Sequence, residues 1–239
     1  MQLLIAVVAW LALPEHWQGS DGIPTRMGEH LMLAGLAVGV AALIAVPIGV
    51  LCGHTGRGAF LVVNLANIGR AIPSMALLAL GLPIAFALGL GLGFWPTFIA
   101  MVPLGIPAIL TNSFIGIREV PAEMVEVARA MGMREPQVIL KAELPLAASL
   151  IMAGIRNAAV AIVATATLGA LVAGGGLGRY IVDGFARQEY PRIVVGALLV
   201  ALLAVITELG LGRLERSLIS PGLSGQAALP EEPIEVAAR

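Results

Sequence analysis

The sequence predicts an all-α membrane protein with about five transmembrane helices, and three observations carry that prediction. Of its 239 residues, 59% are hydrophobic and only 12% charged, with a mean hydropathy of +0.95, whereas about a quarter of an ordinary soluble domain is charged. Apolar stretches recur near the length of about 20 residues that crosses roughly 30 Å of hydrocarbon. Basic residues alternate between two sides of those stretches. Arg57 and Arg70, then Arg118, Arg129, Arg134 and Lys141, then Arg213 and Arg216 share one side. Arg26, Arg179, Arg187 and Arg192 share the other, accompanied by Asp21, Glu29, Asp183 and Glu189. The positive-inside rule places the first group in the cytoplasm, so five spans run from outside to inside and back, leaving the C-terminus cytoplasmic.

In order, residues 1–28 form an external N-terminal segment. Leu3–Leu13 is apolar but too short to span, and no Lys or Arg precedes it as in a signal peptide. With Trp10 and Trp17 at interfacial spacing, it reads as a short amphipathic interfacial helix on the outer surface; a short sixth span is the alternative. The transmembrane domain covers 29–216, with spans at Leu31–Cys52, Ile72–Leu92, Trp95–Ile117, Leu146–Val172 and Ile193–Leu211. Gly35, Gly39, Ala42, Gly105, Gly154, Ala158 and Ala159 supply the small surfaces that let helix backbones approach in a membrane. The tail, 217–239, is rich in Pro, Gly, Ala and Glu from Pro221 onward and is expected to be disordered in the cytoplasm.

One polar loop, 120–145, interrupts this pattern. Pro121 suits the first turn of a helix, and Gly132 suits the left-handed position that ends one. Between them Met124, Val127, Ala128 and Met131 fall at i, i+3, i+4 and i+7, while Glu123, Glu126 and Arg129 face elsewhere. Pro136 opens a second short helix, and Pro145 the next apolar run. A short amphipathic helix pair between two spans is shaped to dock onto something outside the membrane.

The remaining chemistry is sparse. No Gly-Lys-Ser/Thr phosphate loop surrounds Lys141, the sole lysine, so this chain is not an ATPase. His16, His30 and His54 lack metal-ligand spacing. No Gly-x-Ser-x-Gly elbow occurs. The net charge of −1, without a basic cluster, gives nucleic acid no footprint. Cys52 stands alone and forms no internal disulfide. Gly174-Gly175-Gly176-Leu177-Gly178 reads as a tight external turn.

Polar groups within the spans are functional candidates by default. Arg156 and Asn157 sit on one broad face about three turns beyond Pro145. Arg156 either pairs with a carbonyl or carboxylate of a neighbouring helix or lines the solute pathway, with Asn157 placed nearer a dimer axis. Thr165 and Thr167 are two residues apart, about 200° around a helix, and cannot both face a pore unless the helix breaks there. Asn64, Asn67 and Arg70 share a face just before Pro73, which kinks or starts a helix. Glu208 is expected to pair with Arg213 or to snorkel.

Several of these segments carry a family resemblance. Glu126-Val127-Ala128, three residues, Gly132, nine residues, then Ala142-Glu143-Leu144-Pro145 resembles the Glu-Ala-Ala loop of ABC importer permeases of type I fold, with Val127 and Ala142 as mild departures. In that family the loop is the coupling helix seated in a groove of the cytoplasmic ATPase. The resemblance assigns ATPase coupling to Glu123, Glu126, Ala128, Gly132, Leu144 and Pro145. Arg70-Ala71-Ile72-Pro73-Ser74-Met75-Ala76-Leu77-Leu78, Ile151–Ala158, Ala164–Leu168 and the glycine run are similar to osmoprotectant permeases for glycine betaine, carnitine and choline. His54-Thr55-Gly56-Arg57-Gly58 is similar to actinobacterial members in particular.

The resemblance implies cytoplasmic ATPase subunits carrying the ATP and Mg, with no cofactor in this chain. It implies a second permease subunit, identical or paralogous, surrounding membrane lipid, and an extracellular substrate-binding protein. Because the chain stops soon after Arg216, that binding protein is expected to be a separate polypeptide. Aromatics are only 5% of residues, too few to suggest a cage for a quaternary ammonium, so affinity is expected to reside in the binding protein. Arg70, Pro73, Arg156, Asn157, Thr165 and Thr167 are the candidate pathway residues. The alternatives are an ABC permease for another small solute such as an amino acid, and a secondary transporter. The latter calls for midplane coupling acids and usually internal repeats.

Overall fold

The computed structural model describes residues 1–218, apart from the side chains of Arg70 and Leu218. The expected tail, 217–239, therefore lies outside the described residues from position 219 onward. Among the described residues ten α-helices follow one another: α1 (Gln2–Ala12), α2 (Ile23–Thr55), α3 (Ala59–Ala71), α4 (Ser74–Ala87), α5 (Phe94–Arg118), α6 (Ala122–Ala130), α7 (Glu135–Val138), α8 (Leu144–Thr165), α9 (Gly178–Arg187) and α10 (Tyr190–Leu218). A 3₁₀ turn, Pro14–Trp17, follows α1; a π-turn, Ile139–Glu143, leads into α8; a 3₁₀ segment, Ala166–Val172, continues it. No strand occurs among the described residues.

Four helical stretches are long and apolar enough to cross a membrane: Ile23–Thr55, Phe94–Arg118, Glu135–Val172 and Tyr190–Ser217. A helix pair, Ala59–Gly69 with Ser74–Ala87, bent by 95°, is either a fifth, broken span or a re-entrant loop. This corrects the expectation of one continuous span over Ile72–Leu92. Pro73 has no N–H to carry a helix through and takes an extended ψ of 134° as the N-cap of α4. Beyond Ala87, Gly89, Gly91 and Gly93 have φ of +71°, +73° and +89°, a conformation closed to a helix. Hydropathy alone does not register either break.

Two further boundaries differ. α2 begins at Ile23, with Pro24 in its first turn, so residues 23–28 belong to the first span and not to the N-terminal segment. α1 has no polar face: Leu3, Leu4, Ile5 and Val8 are exposed while Val7 is buried, so the expected amphipathic character is absent. Trp10 and Leu11 of α1 pack on the main core cluster.

α5 is the hub of the bundle, packed by α2, α8, α4 and α3. Close approach is set by small residues. Ala34, Ala37, Ala41 and Ala45 form a buried seam along α2, extended by Gly49 and Gly53. A Cβ on Gly49 would meet Ser113 Cβ at 2.6 Å, and one on Gly53 would meet Ile117 Cβ at 2.8 Å. Gly105 of α5 stands where α2 and α8 meet it, facing Ile162 and Ala41. Dispersion between close backbones replaces a hydrophobic drive that lipid does not supply.

Candidate functional site

The 120–145 loop folds as a compact double turn. Pro121 caps α6, and Met133 N–H donates to Ala128 O at 3.2 Å while Gly132 N–H donates to Arg129 O at 2.9 Å. This pair of bonds is a Schellman ending, which needs a left-handed residue between; Gly132 supplies it at φ +81°. Pro136 lies in the first turn of α7, and Pro145 in that of α8. Arg129 joins the two turns by paired 3.1 Å bonds to Glu135, and that hydrogen-bonded carboxylate raises the Arg129 pKa further above its ordinary value.

Of the apolar stripe on α6, only Ala128 is buried in the protomer. Met124, Val127 and Met131 are 50%, 56% and 73% exposed. Glu123 and Glu126 are exposed, as is Pro145, while Leu144 is half-buried against the small core of Val50, Ile117, Ala147 and Ile151. The sequence offers no hint of the loop's anchor. His54, at the end of α2, stands between two loop carboxylates: Nδ1 lies 2.8 Å from Glu143 and Nε2 3.0 Å from Glu135. These residues are some eighty positions apart in the chain, so no local spacing announces them.

Within the bundle, Arg156 lies in the seam between α8 and α10. Its Nε is 3.3 Å from Glu208 and its Nη1 3.0 Å from Glu215. Gly212 lets the guanidinium pass, because a Cβ there would come within 3.1 Å of Nη1. This corrects the expectation for Glu208: its cation is Arg156, whereas Arg213 turns to the Leu209 carbonyl at 3.5 Å. Asn157 is exposed on the protomer surface. Thr165 is the half-buried last residue of α8, and Thr167 falls in the 3₁₀ segment, donating to Ala164 O at 2.9 Å. The helix tightens from α to 3₁₀ between the two threonines and runs on without a break. Pro73 is exposed at the α3–α4 bend, and Arg70 is the last residue but one of α3. The structure does not gather these six residues into one cluster.

At the opposite end of α2 the glycine run is fastened to the helix. Gly176 N–H donates to Glu29 at 2.8 Å and Leu177 N–H to His30 Nδ1 at 3.3 Å, while His30 Nε2 lies 2.8 Å from the Val163 carbonyl. His30 is therefore neutral and protonated on Nε2, since its other nitrogen accepts. Gly176 has φ +80°. Around this turn Arg26 pairs with Asp21 and Glu29, and Arg192 pairs with Asp183 and stacks over Tyr180 at 5.6 Å. The Arg26 hydrogen bond holds the Asp21 carboxyl below its ordinary pKa, and burial pushes the Tyr180 phenol up. Among the described residues no group of His, Cys, Asp and Glu is arranged to hold a metal.

Residues 45–220 match the family model described as the binding-protein-dependent transport system inner membrane component. The chain belongs to this family. It is an ABC importer permease and a multi-pass membrane protein. Over 84% of its length it is 36% identical to the glycine betaine/carnitine/choline transport system permease protein OpuCB of Bacillus subtilis, covering 90% of that protein. Over 78% it is 37% identical to the carnitine transport permease protein OpuCB of Listeria monocytogenes, covering 84% of it. In three dimensions it resembles the permease of an inward-facing MetNI methionine ABC transporter structure, with a TM-score of 0.74 at 22% identity over 87% of this chain and all of that one. That likeness establishes the type I permease fold.

Proposed function

We propose that this chain is the permease subunit of an ATP-driven importer for quaternary amine osmoprotectants such as glycine betaine, carnitine or choline. The observation that carries the reading is the 36–37% identity, over most of both chains, to permeases named for those solutes. Two permease subunits, identical or paralogous, assemble with cytoplasmic ATPases and a separate external binding protein in the plasma membrane. The 120–145 loop and the C-terminus face the cytoplasm. The exposed Met124, Val127 and Met131, beside Glu123 and Glu126, form the surface that meets the ATPase, and Gly132 fixes the angle at which α6 is presented. ATP and Mg belong to that partner.

The reading is tested by reconstituting the chain in vesicles with its ATPase and binding-protein partners. ATP-dependent uptake of labelled glycine betaine, carnitine or choline is the expected result. Uptake of methionine or another amino acid, without any quaternary amine, would move the protein to the amino-acid importers.

A further inference from the structure

Among the described residues, His54 ties α2 to the 120–145 loop by a hydrogen bond from one side of its ring and an ion-pair contact on the other. Nδ1 lies 2.8 and 2.9 Å from the two Glu143 oxygens, and Nε2 3.0 Å from a Glu135 oxygen. The site is built and not incidental: the His54 side chain is 9% exposed and that of Glu143 only 5%. An ionised carboxylate only accepts hydrogen bonds, and a neutral imidazole has one donor and one acceptor. The ring thus stands with a carboxylate on either side. Arg129 of α6 holds Glu135 from the other side at 3.1 Å. Arg118 at the end of α5 and Glu126 of α6 line the same cavity of about 260 Å³. Among the described residues, His54 is the side chain that pairs with Glu143.

The opposite end of the same helix is held as firmly. Glu29 and His30 receive the backbone N–H groups of Gly176 and Leu177. The two histidines are 24 residues apart, about 36 Å at 1.5 Å per residue. α2 is therefore a rod pinned to the loop at one end and to the glycine turn at the other, with its small-residue seam against α5 between them.

We propose that His54 is a positioning residue: set between Glu143 and Glu135, its ring clamps the 120–145 loop to α2, so that displacement of the loop is carried along α2 to the glycine turn. The proposal rests on the reading of this loop as the ATPase-coupling element. A side chain that lacks the second ring nitrogen leaves one of the two carboxylates without its partner on α2, and the clamp opens.

Two measurements test this on the full chain. Amide hydrogen exchange of 133–143, compared at one pH, reads the clamp without any partner. His54→Gln, neutral at every pH, is expected to exchange about fivefold faster there, the ratio that one hydrogen bond is worth. His54→Arg, charged at every pH, is expected to keep the protection. In vesicles with the ATPase and binding protein, solute imported per ATP hydrolysed is expected to be about fivefold lower in His54→Gln than in wild type and to stay at the wild-type level in His54→Arg. Unchanged exchange in His54→Gln overturns the clamp. Faster exchange in His54→Gln with a wild-type coupling ratio overturns the positioning role. Failure of the underlying loop reading has its own signature, full coupling in Gly132→Val, which does not involve His54.

Discussion

Arg156 shows what one residue can and cannot announce. An arginine in an apolar run is a functional or structural candidate because an unpaired charge costs about 2.5–3.5 kcal/mol at the centre of a span on insertion scales. The sequence therefore flags the residue, but its partners lie 52 and 59 positions later on α10, where Glu208 and Glu215 share one guanidinium. Replacing Arg156 with Met leaves two carboxylates and no cation between α8 and α10. Breaking a buried pair costs several kcal/mol, and the partial exposure of Arg156 and Glu208 lowers this to about 1–3 kcal/mol. A thermal unfolding midpoint several degrees lower in detergent is the expected outcome, with part of it regained in Arg156→Met/Glu215→Gln. An unchanged midpoint would make the ion pair incidental. The neighbouring Asn157 is exposed on the protomer and is a better reporter of the pathway. Cysteine there, in a background lacking Cys52, is expected to react with a small water-soluble thiol reagent during turnover. Protection in every nucleotide state would remove it from the pathway.

At the level of elements, legibility followed the distance over which each element is determined. The 120–145 loop is fixed locally, by Pro121, Pro136, Pro145 and a glycine at a left-handed turn, so spacing alone located its two helices. The Ile72–Leu92 span failed because hydropathy averages over side chains while Pro73 and the positive-φ glycines 89, 91 and 93 act on the backbone. α1 failed as an amphipathic helix because Trp10 is not matched by any polar face, and Trp17 lies beyond it in the 3₁₀ turn. Gly132 gives the sharpest test of an element. Its surroundings are open, with nothing within 4 Å of a Cβ, so substitution acts through φ alone. Valine at φ +81° is disfavoured by about 1–2 kcal/mol or more. Gly132→Val is expected to insert normally yet hydrolyse ATP without matching uptake, because α6 is presented at the wrong angle. Normal uptake per ATP by that variant would remove the loop from coupling.

For the whole molecule, the distribution of acids decides between energy sources. A secondary transporter needs carboxylates near the midplane that exchange a coupling ion. In the spanning helices described here, Glu29 is bound to Arg26, while Glu208 and Glu215 are bound to Arg156. Glu208 and Glu215 share a single guanidinium, and every one of the three is engaged by an arginine that stays charged at physiological pH. The other acids of these stretches, Glu135 and Glu143, lie in the 120–145 loop beside His54. The exposed stripe of α6, by contrast, offers a place for an external motor to act. Vesicles containing this chain alone are therefore expected to show no accumulation of glycine betaine, carnitine or choline under an imposed proton or sodium gradient. Adding the ATPase, the binding protein and ATP should produce uphill uptake that is unaffected when the gradients are collapsed by ionophores. Gradient-driven accumulation by the chain alone would require one of these ion pairs to open during transport, and would place the protein among secondary transporters despite its fold.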